Sequence, residues 1–121
     1  MTKTVLTIDD SRTMRDMLRL ALVDAGFAVV QAVDGIDGLE ALAKCEPSVI
    51  VTDINMPRMD GFGLIKAVRA DERWKSVPIL VLTTESDETK KKLARDSGAT
   101  GWIVKPFNSV KLIAAINRVA A

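Results

Sequence analysis

The 121-residue chain has no histidine and no tyrosine, a single cysteine, and only 4% aromatic residues. Without histidine there is no Ser-His or Cys-His nucleophile pair and none of the usual zinc sites. With Cys45 alone there is no internal disulfide and no thiolate metal cluster. The apolar helical spacing around Cys45 makes it buried filler rather than a reactive thiol. No apolar run is long enough to span a bilayer, and no signal-peptide core follows Met1-Thr2-Lys3-Thr4, so a cytoplasmic protein without a membrane partner is expected. Charge of one sign is also lacking. The net charge is +1, with Lys and Arg scattered among acids, which gives no electrostatic case for a nucleic-acid partner. What chemistry remains must run on carboxylates, hydroxyls, lysines and a hard metal ion.

What is present is an ordinary soluble composition, 48% hydrophobic and 27% charged. Repeats, low-complexity tracts and Pro/Gly/Ser-rich linkers are missing, so residues 1–121 read as one domain. Two periods alternate along it. A β-branched run from Thr4 to Ile8 is followed by Ser11 as N-cap and a helix with Met14, Met17, Leu18, Ala21 and Leu22, stopped at Gly26. Phe27 to Val33 reads as a second strand, and Asp34-Gly35 opens a helix that ends before Pro47. Val49 to Thr52 is a third strand, and Met59-Asp60-Gly61 leads into a helix with Phe62, Leu64, Ile65 and Val68. Pro78 to Leu82 is a fourth strand, before a charged helix from about Asp87 to Ser97. Trp102 to Val104 is a fifth, and Asn108 caps a last helix. The first, third and fourth strands are nearly unbroken aliphatic runs, as in a parallel sheet covered by helices on both faces. The expected fold is therefore α/β and doubly wound, with five parallel strands and five helices. Helices on both faces and no evident spare apolar patch make a monomer the expectation.

The strand ends carry the chemistry. Asp9-Asp10 follow the first strand, Asp53 the third, Thr83-Thr84 the fourth and Lys105-Pro106 the fifth, while the second ends blandly. In a parallel sheet all these ends share one edge, where open α/β sheets bind their ligands. Three neighbouring carboxylates repel unless a cation sits among them. An oxygen-only donor set suits Mg²⁺ or Mn²⁺, and Mg²⁺ favours a site completed by a phosphate oxygen. Lys105 and Thr83 then suit phosphate oxygens, and Asp53 suits a nucleophile for in-line phosphoryl transfer. Each piece also has a plain structural reading: Asp10 as a helix cap, Thr83 and Thr84 as caps of the fourth helix, and Lys105 as a surface lysine. Their joint occurrence at one edge favours the chemical reading.

Ile8-Asp9-Asp10-Ser11, Asp53-Ile54-Asn55-Met56-Pro57-Arg58-Met59-Asp60-Gly61, Leu82-Thr83-Thr84, Gly98-Ala99 and Lys105-Pro106-Phe107 together resemble the response-regulator receiver family. The resemblance spans the chain, and its end at Ala121 is that of the stand-alone chemotaxis (CheY) type. It implies the flavodoxin/CheY-like strand order 2-1-3-4-5, which periodicity does not reveal. It implies Mg²⁺ held by Asp9, Asp10, Asp53 and the backbone carbonyl of Asn55, with Asp53 as phosphoacceptor. Thr83 and Lys105 would contact the phosphoryl group, the latter beside a Pro106 peptide often cis in the family. Asn55 and Glu85 match the pair that tunes dephosphorylation. No separate cofactor pocket is implied. The implied partners are a sensor histidine kinase as donor, a flagellar motor switch protein as target, and in some systems a phosphatase. The protein would be a switch rather than an enzyme, catalysing only its own phosphotransfer and autodephosphorylation.

Trp102 departs from the Tyr or Phe usual at the rotating aromatic position, and indole donates only through its ring N–H. The switch face would be read through Thr83, Trp102 and the basic fourth helix with Lys91 and Lys92. Within the family, a phosphate sink without a motor target has the same chemistry. An Mg²⁺-dependent phosphatase with an Asp nucleophile needs a second acid two residues on, where this chain has Asn55. A flavodoxin-like FMN carrier would meet Asp9-Asp10 where its phosphate must sit.

Overall fold

A computed structural model of the chain describes residues 2–84 and 88–120. Ten elements alternate in it: β1 (Thr4–Ile8), α1 (Arg12–Asp24), β2 (Ala28–Ala32), α2 (Gly35–Cys45), β3 (Val49–Asp53), α3 (Gly61–Ala70), β4 (Ile79–Thr83), α4 (Glu88–Ser97), β5 (Gly101–Val104) and α5 (Ser109–Val119). The strands form one sheet in the order β2-β1-β3-β4-β5, every neighbouring pair parallel. The expected architecture and strand order are therefore observed, with element ends within one or two residues of the sequence reading.

The local causes are those the sequence announces. Ser11 Oγ accepts from the Met14 amide at the start of α1, so Ser11 rather than Asp10 is the cap. Asp34, Asp60 and Asn108 cap α2, α3 and α5 in the same way. Gly26, at φ 94°, takes the left-handed turn that ends α1.

The sheet divides the core into two layers. Leu6, Ile8, Ile50, Ile79 and Val81 face α2, α3 and α4 with Leu42, Leu64, Ile65, Val68 and Ala94. Val5, Val49, Val51, Leu80, Leu82 and Ile103 face α1 and α5 with Leu18, Leu22, Leu112 and Ile116. Burial on both faces explains why β1, β3 and β4 read as continuous aliphatic runs. Cys45 packs against the first layer but is only half-buried, and burial pushes its thiol up.

One expectation fails here. Leu20 and Val110 are 75% and 78% exposed, with Met17 and Val23 beside them on α1. A groove of about 780 Å³ between α1 and α5 is lined by Met17, Leu20, Phe107, Val110 and Ile113. A spare apolar patch therefore exists. Helical periodicity gives the direction of a buried face but not how far a neighbouring helix covers it. No described helix is long and apolar enough to cross a membrane.

Candidate functional site

The strand ends meet at the carboxyl edge as the sequence requires. Carboxylate oxygens of Asp9, Asp10 and Asp53 lie within 4.8 Å of one another, Asp10 exposed, Asp53 half-buried and Asp9 buried. β1 delivers Asp9, whose backbone N–H donates to the Ala32 carbonyl at 3.1 Å. Its Oδ1 accepts the Ser11 amide at 2.9 Å, and its carbonyl accepts Arg15 Nη1 at 2.8 Å. Its Oδ2 is buried without a hydrogen-bond partner. Burial pushes the Asp9 carboxyl above the usual carboxylate range, the Ser11 amide opposes this, and Asp53 adds to the rise.

β3 delivers Asp53, whose Oδ1 accepts the Ile54 amide at 2.8 Å and lies 3.0 Å from Lys105 Nζ. Lys105 is also 3.8 Å from Asp9 Oδ2. Its side chain is 15% exposed, so it is not a surface lysine. β5 places it there: the Lys105 amide donates to the Thr83 carbonyl at 2.6 Å, and the following peptide to Pro106 is cis. Thr83 is buried at the end of β4. Asn55 is exposed in the loop after Asp53. Glu85 lies outside the described residues.

An all-oxygen donor set, plus the orphaned Asp9 Oδ2 that a cation would satisfy, fits a hard divalent metal ion. The repulsion among three carboxylates is reduced by one ammonium and would be relieved fully by such an ion.

Val81 pairs with Trp102 in the β4–β5 register, which puts Trp102 on the sheet face that Val81 and Thr83 share. From α4, Lys91 Nζ stands 5.2 Å and Arg95 Cζ 5.3 Å from the indole centroid. Lys91 is thus engaged with Trp102, whereas Lys92 is exposed. Arg95, which helical spacing puts on the same basic side of α4, joins this cluster.

The second strand does not end blandly. Asp34, two residues beyond β2, is buried and takes a two-pronged ion pair from Arg58, Nε to Oδ2 at 2.7 Å and Nη2 to Oδ1 at 2.9 Å. Arg58 holds the Asp34 carboxyl below the usual range, helped by the Asp37 amide. No spacing rule links residues 24 apart across two loops, so the pair was not visible beforehand.

Comparison with known proteins agrees with this geometry. The model of the response regulator receiver domain matches residues 5–117. The chain is 41% identical over 105 residues to chemotaxis protein CheY1 of Helicobacter pylori strain J99, covering 85% of each. It is 39% identical over 116 residues to chemotaxis protein CheY-3 of Vibrio cholerae, covering 95% of this chain and 89% of that one. The solved structure of the chemotaxis response regulator CheY4 of Vibrio cholerae superposes with a TM-score of 0.93 at 44% identity, covering 98% of this chain and 99% of that one. With the whole sheet, its strand order and the edge of three aspartates and a lysine accounted for, the chain belongs to the response-regulator receiver family.

Proposed function

We propose that the protein is a phosphorylation switch of a chemotaxis pathway, with Asp53 as its phosphoacceptor. The observation that carries this reading is the 3.0 Å approach of Lys105 Nζ to Asp53 Oδ1 inside the cluster of three carboxylates. Asp9, Asp10, Asp53 and the Asn55 backbone carbonyl would hold Mg²⁺. When bound, Mg²⁺ supplies charge neutralisation for the phosphoryl oxygens. Asp53 Oδ1 is occupied by the Ile54 amide and Lys105, so Oδ2 is assigned as the attacking atom. Its bond to phosphorus forms as the phosphorus–nitrogen bond of a sensor kinase's phosphohistidine breaks, leaving the electron pair on the donor imidazole. Lys105 is placed to follow the charge onto a phosphoryl oxygen, and Thr83, at the end of the adjacent strand, to donate its hydroxyl to another.

Thr83 and Trp102 share a sheet face, so a shift of Thr83 toward the phosphoryl group changes the space beside the indole. The output would be a population shift of the face formed by α4, β5 and α5, with Trp102, Lys91 and Lys92 on it. The names of the chemotaxis relatives support a chemotaxis role, and in that role a flagellar motor switch protein would be its target and the cytoplasm its place of action. Water attack tuned by Asn55 and Glu85, with or without a separate phosphatase, would reset it. In this reading the protein turns over no external substrate.

The test is affinity capture from the source cell's lysate with and without beryllofluoride and Mg²⁺, using Asp53→Asn as control. A motor switch protein retained only by the activated wild type is expected. Identical capture in both states, or capture of the kinase alone, would replace the output reading with a phosphate sink.

A further inference from the structure

Residues 54–60 connect Asp53 to α3 and carry Asn55, the backbone ligand of the proposed site. The loop is closed at its base by the Gly61 amide, which donates to the Ile54 carbonyl at 2.7 Å. A Cβ on residue 61 would collide with the Asp53 carbonyl, so only glycine permits this close return past the acceptor. At the crest, Arg58 adopts φ 64°, a left-handed conformation that costs a non-glycine residue conformational energy. Glycine would be the relaxed choice there, so the arginine side chain must supply something that glycine lacks.

It supplies the fork to Asp34. The Asp34 side chain is only 5% exposed, and its Oδ1 also accepts the Asp37 amide as the N-cap of α2. The anchor is thus fixed to a helix end before Arg58 reaches it. A second tie runs alongside: the Gly35 amide donates to the Met59 carbonyl at 3.1 Å. A Cβ on residue 35 would lie 2.6 Å from the Met59 side chain, so crest and corner are in close contact. Two planar groups meeting through two charge-assisted hydrogen bonds fix direction as well as distance.

We propose that the Asp34–Arg58 pair is a latch that positions the acceptor loop and thereby sets the affinity of the carboxylate site for its divalent ion. The two are positioning residues, not ligands: they act through the backbone between Arg58 and Asn55. The inference rests on the reading of Asn55 and the three aspartates as an Mg²⁺ site. Groups that orient the ligands of a metal commonly change affinity by about 10- to 100-fold when removed. Because this pair orients a single backbone ligand, the lower end, about tenfold, is expected.

The decisive variant is the double substitution Asp34→Asn with Arg58→Gly. Asn keeps the cap of α2, Gly relaxes the left-handed crest, and no buried carboxylate is left unpaired. The protein therefore folds without its latch. Mg²⁺ titration by calorimetry, amide exchange of Asn55, Met56 and Met59, and the thermal midpoint without metal are measured for both forms. Expected are a similar midpoint, about tenfold weaker Mg²⁺ binding and faster exchange confined to the loop. Arg58→Lys, which keeps the charge but not the fork, should fail to restore wild-type affinity. Wild-type affinity and exchange in the double variant would overturn the latch while leaving the metal site standing. A wild type that takes up no Mg²⁺, indistinguishable from Asp9→Asn, would overturn the metal site and the latch together.

Discussion

Arg69 and Gly98 join the ends of α3 and α4: Arg69 Nε donates to the Gly98 carbonyl at 2.9 Å, and a Cβ on residue 98 would lie 2.8 Å from Arg69 Cγ. The Arg69 Nη1 reaches the carbonyls of Trp74, Lys75 and Val77 at 3.2, 3.2 and 2.7 Å. This cation is held by backbone oxygens, and burial holds its pKa below the usual range for arginine. Replacing Arg69 by Met strips several carbonyls of their donor and should destabilise the fold by about 3 kcal/mol in urea unfolding. Gly98→Ala, at φ 114°, should cost about 1–2 kcal/mol by strain alone. Unchanged urea midpoints would show that the clasp is dispensable.

Trp102 lies against Lys91 and Arg95, and Trp74 is the only other tryptophan. In a Trp74→Phe background, indole fluorescence therefore reports Trp102 alone. Addition of beryllofluoride and Mg²⁺ should shift its emission, and Asp53→Asn should abolish the shift. A Trp102 signal blind to activation would mark the indole as fixed packing rather than a moving part of the switch.

Asp34 gives the protein an acid-sensitive element with a definite sign. Its folded carboxyl is held below the usual range, first by Arg58 and then by the Asp37 amide. The unfolded chain therefore binds the proton more readily, and the stabilisation is full at neutral pH and lost as pH falls through and below the usual carboxylate range. Arg58→Met should lower the urea midpoint at pH 7, with the difference from wild type shrinking toward about pH 3. A difference constant across that range would assign the effect to packing instead.

Asp9 has the opposite sign. Burial raises its folded pKa, so the charged form at neutral pH burdens the metal-free fold, and that burden falls as pH drops through the raised value. Asp9→Asn should raise the urea midpoint of the metal-free protein at pH 7 while removing Mg²⁺ binding in calorimetry. A lower midpoint would mean that Lys105 compensates the buried carboxylate fully.

Much of this was legible in the sequence because a parallel sheet converts chain position into place. Asp9, Asp53 and Lys105 each follow an aliphatic run, and parallel runs must deliver their ends to one edge. The plain readings of Asp10 as cap and Lys105 as surface residue were settled only by side-chain geometry, Ser11 taking the cap and Lys105 turning inward. Strand order came from family resemblance, since periodicity says which residues are buried and nothing about which strand lies beside which. The Asp34–Arg58 fork depends on a left-handed residue at a loop crest, and no pattern rule predicts such a backbone at arginine. The exposure of Leu20 and Val110 depends on how closely α1 and α5 approach, a quantity fixed by packing rather than by spacing.

The edge where the strands end also reverses the polarity of the molecule. Among the described residues, the three carboxylates and Lys105 alone sum to a formal charge of minus two, in a chain whose total is plus one. Fields from separated charges fade over about 8 Å at physiological salt, so an anion approaching this edge would feel these four groups more than the distant surface. The deficit equals the charge of one divalent ion. A monovalent ion would halve it, leaving an anion still repelled. On the proposed reading, charge balance at this one sheet edge would set an order of arrival, cation before phosphate.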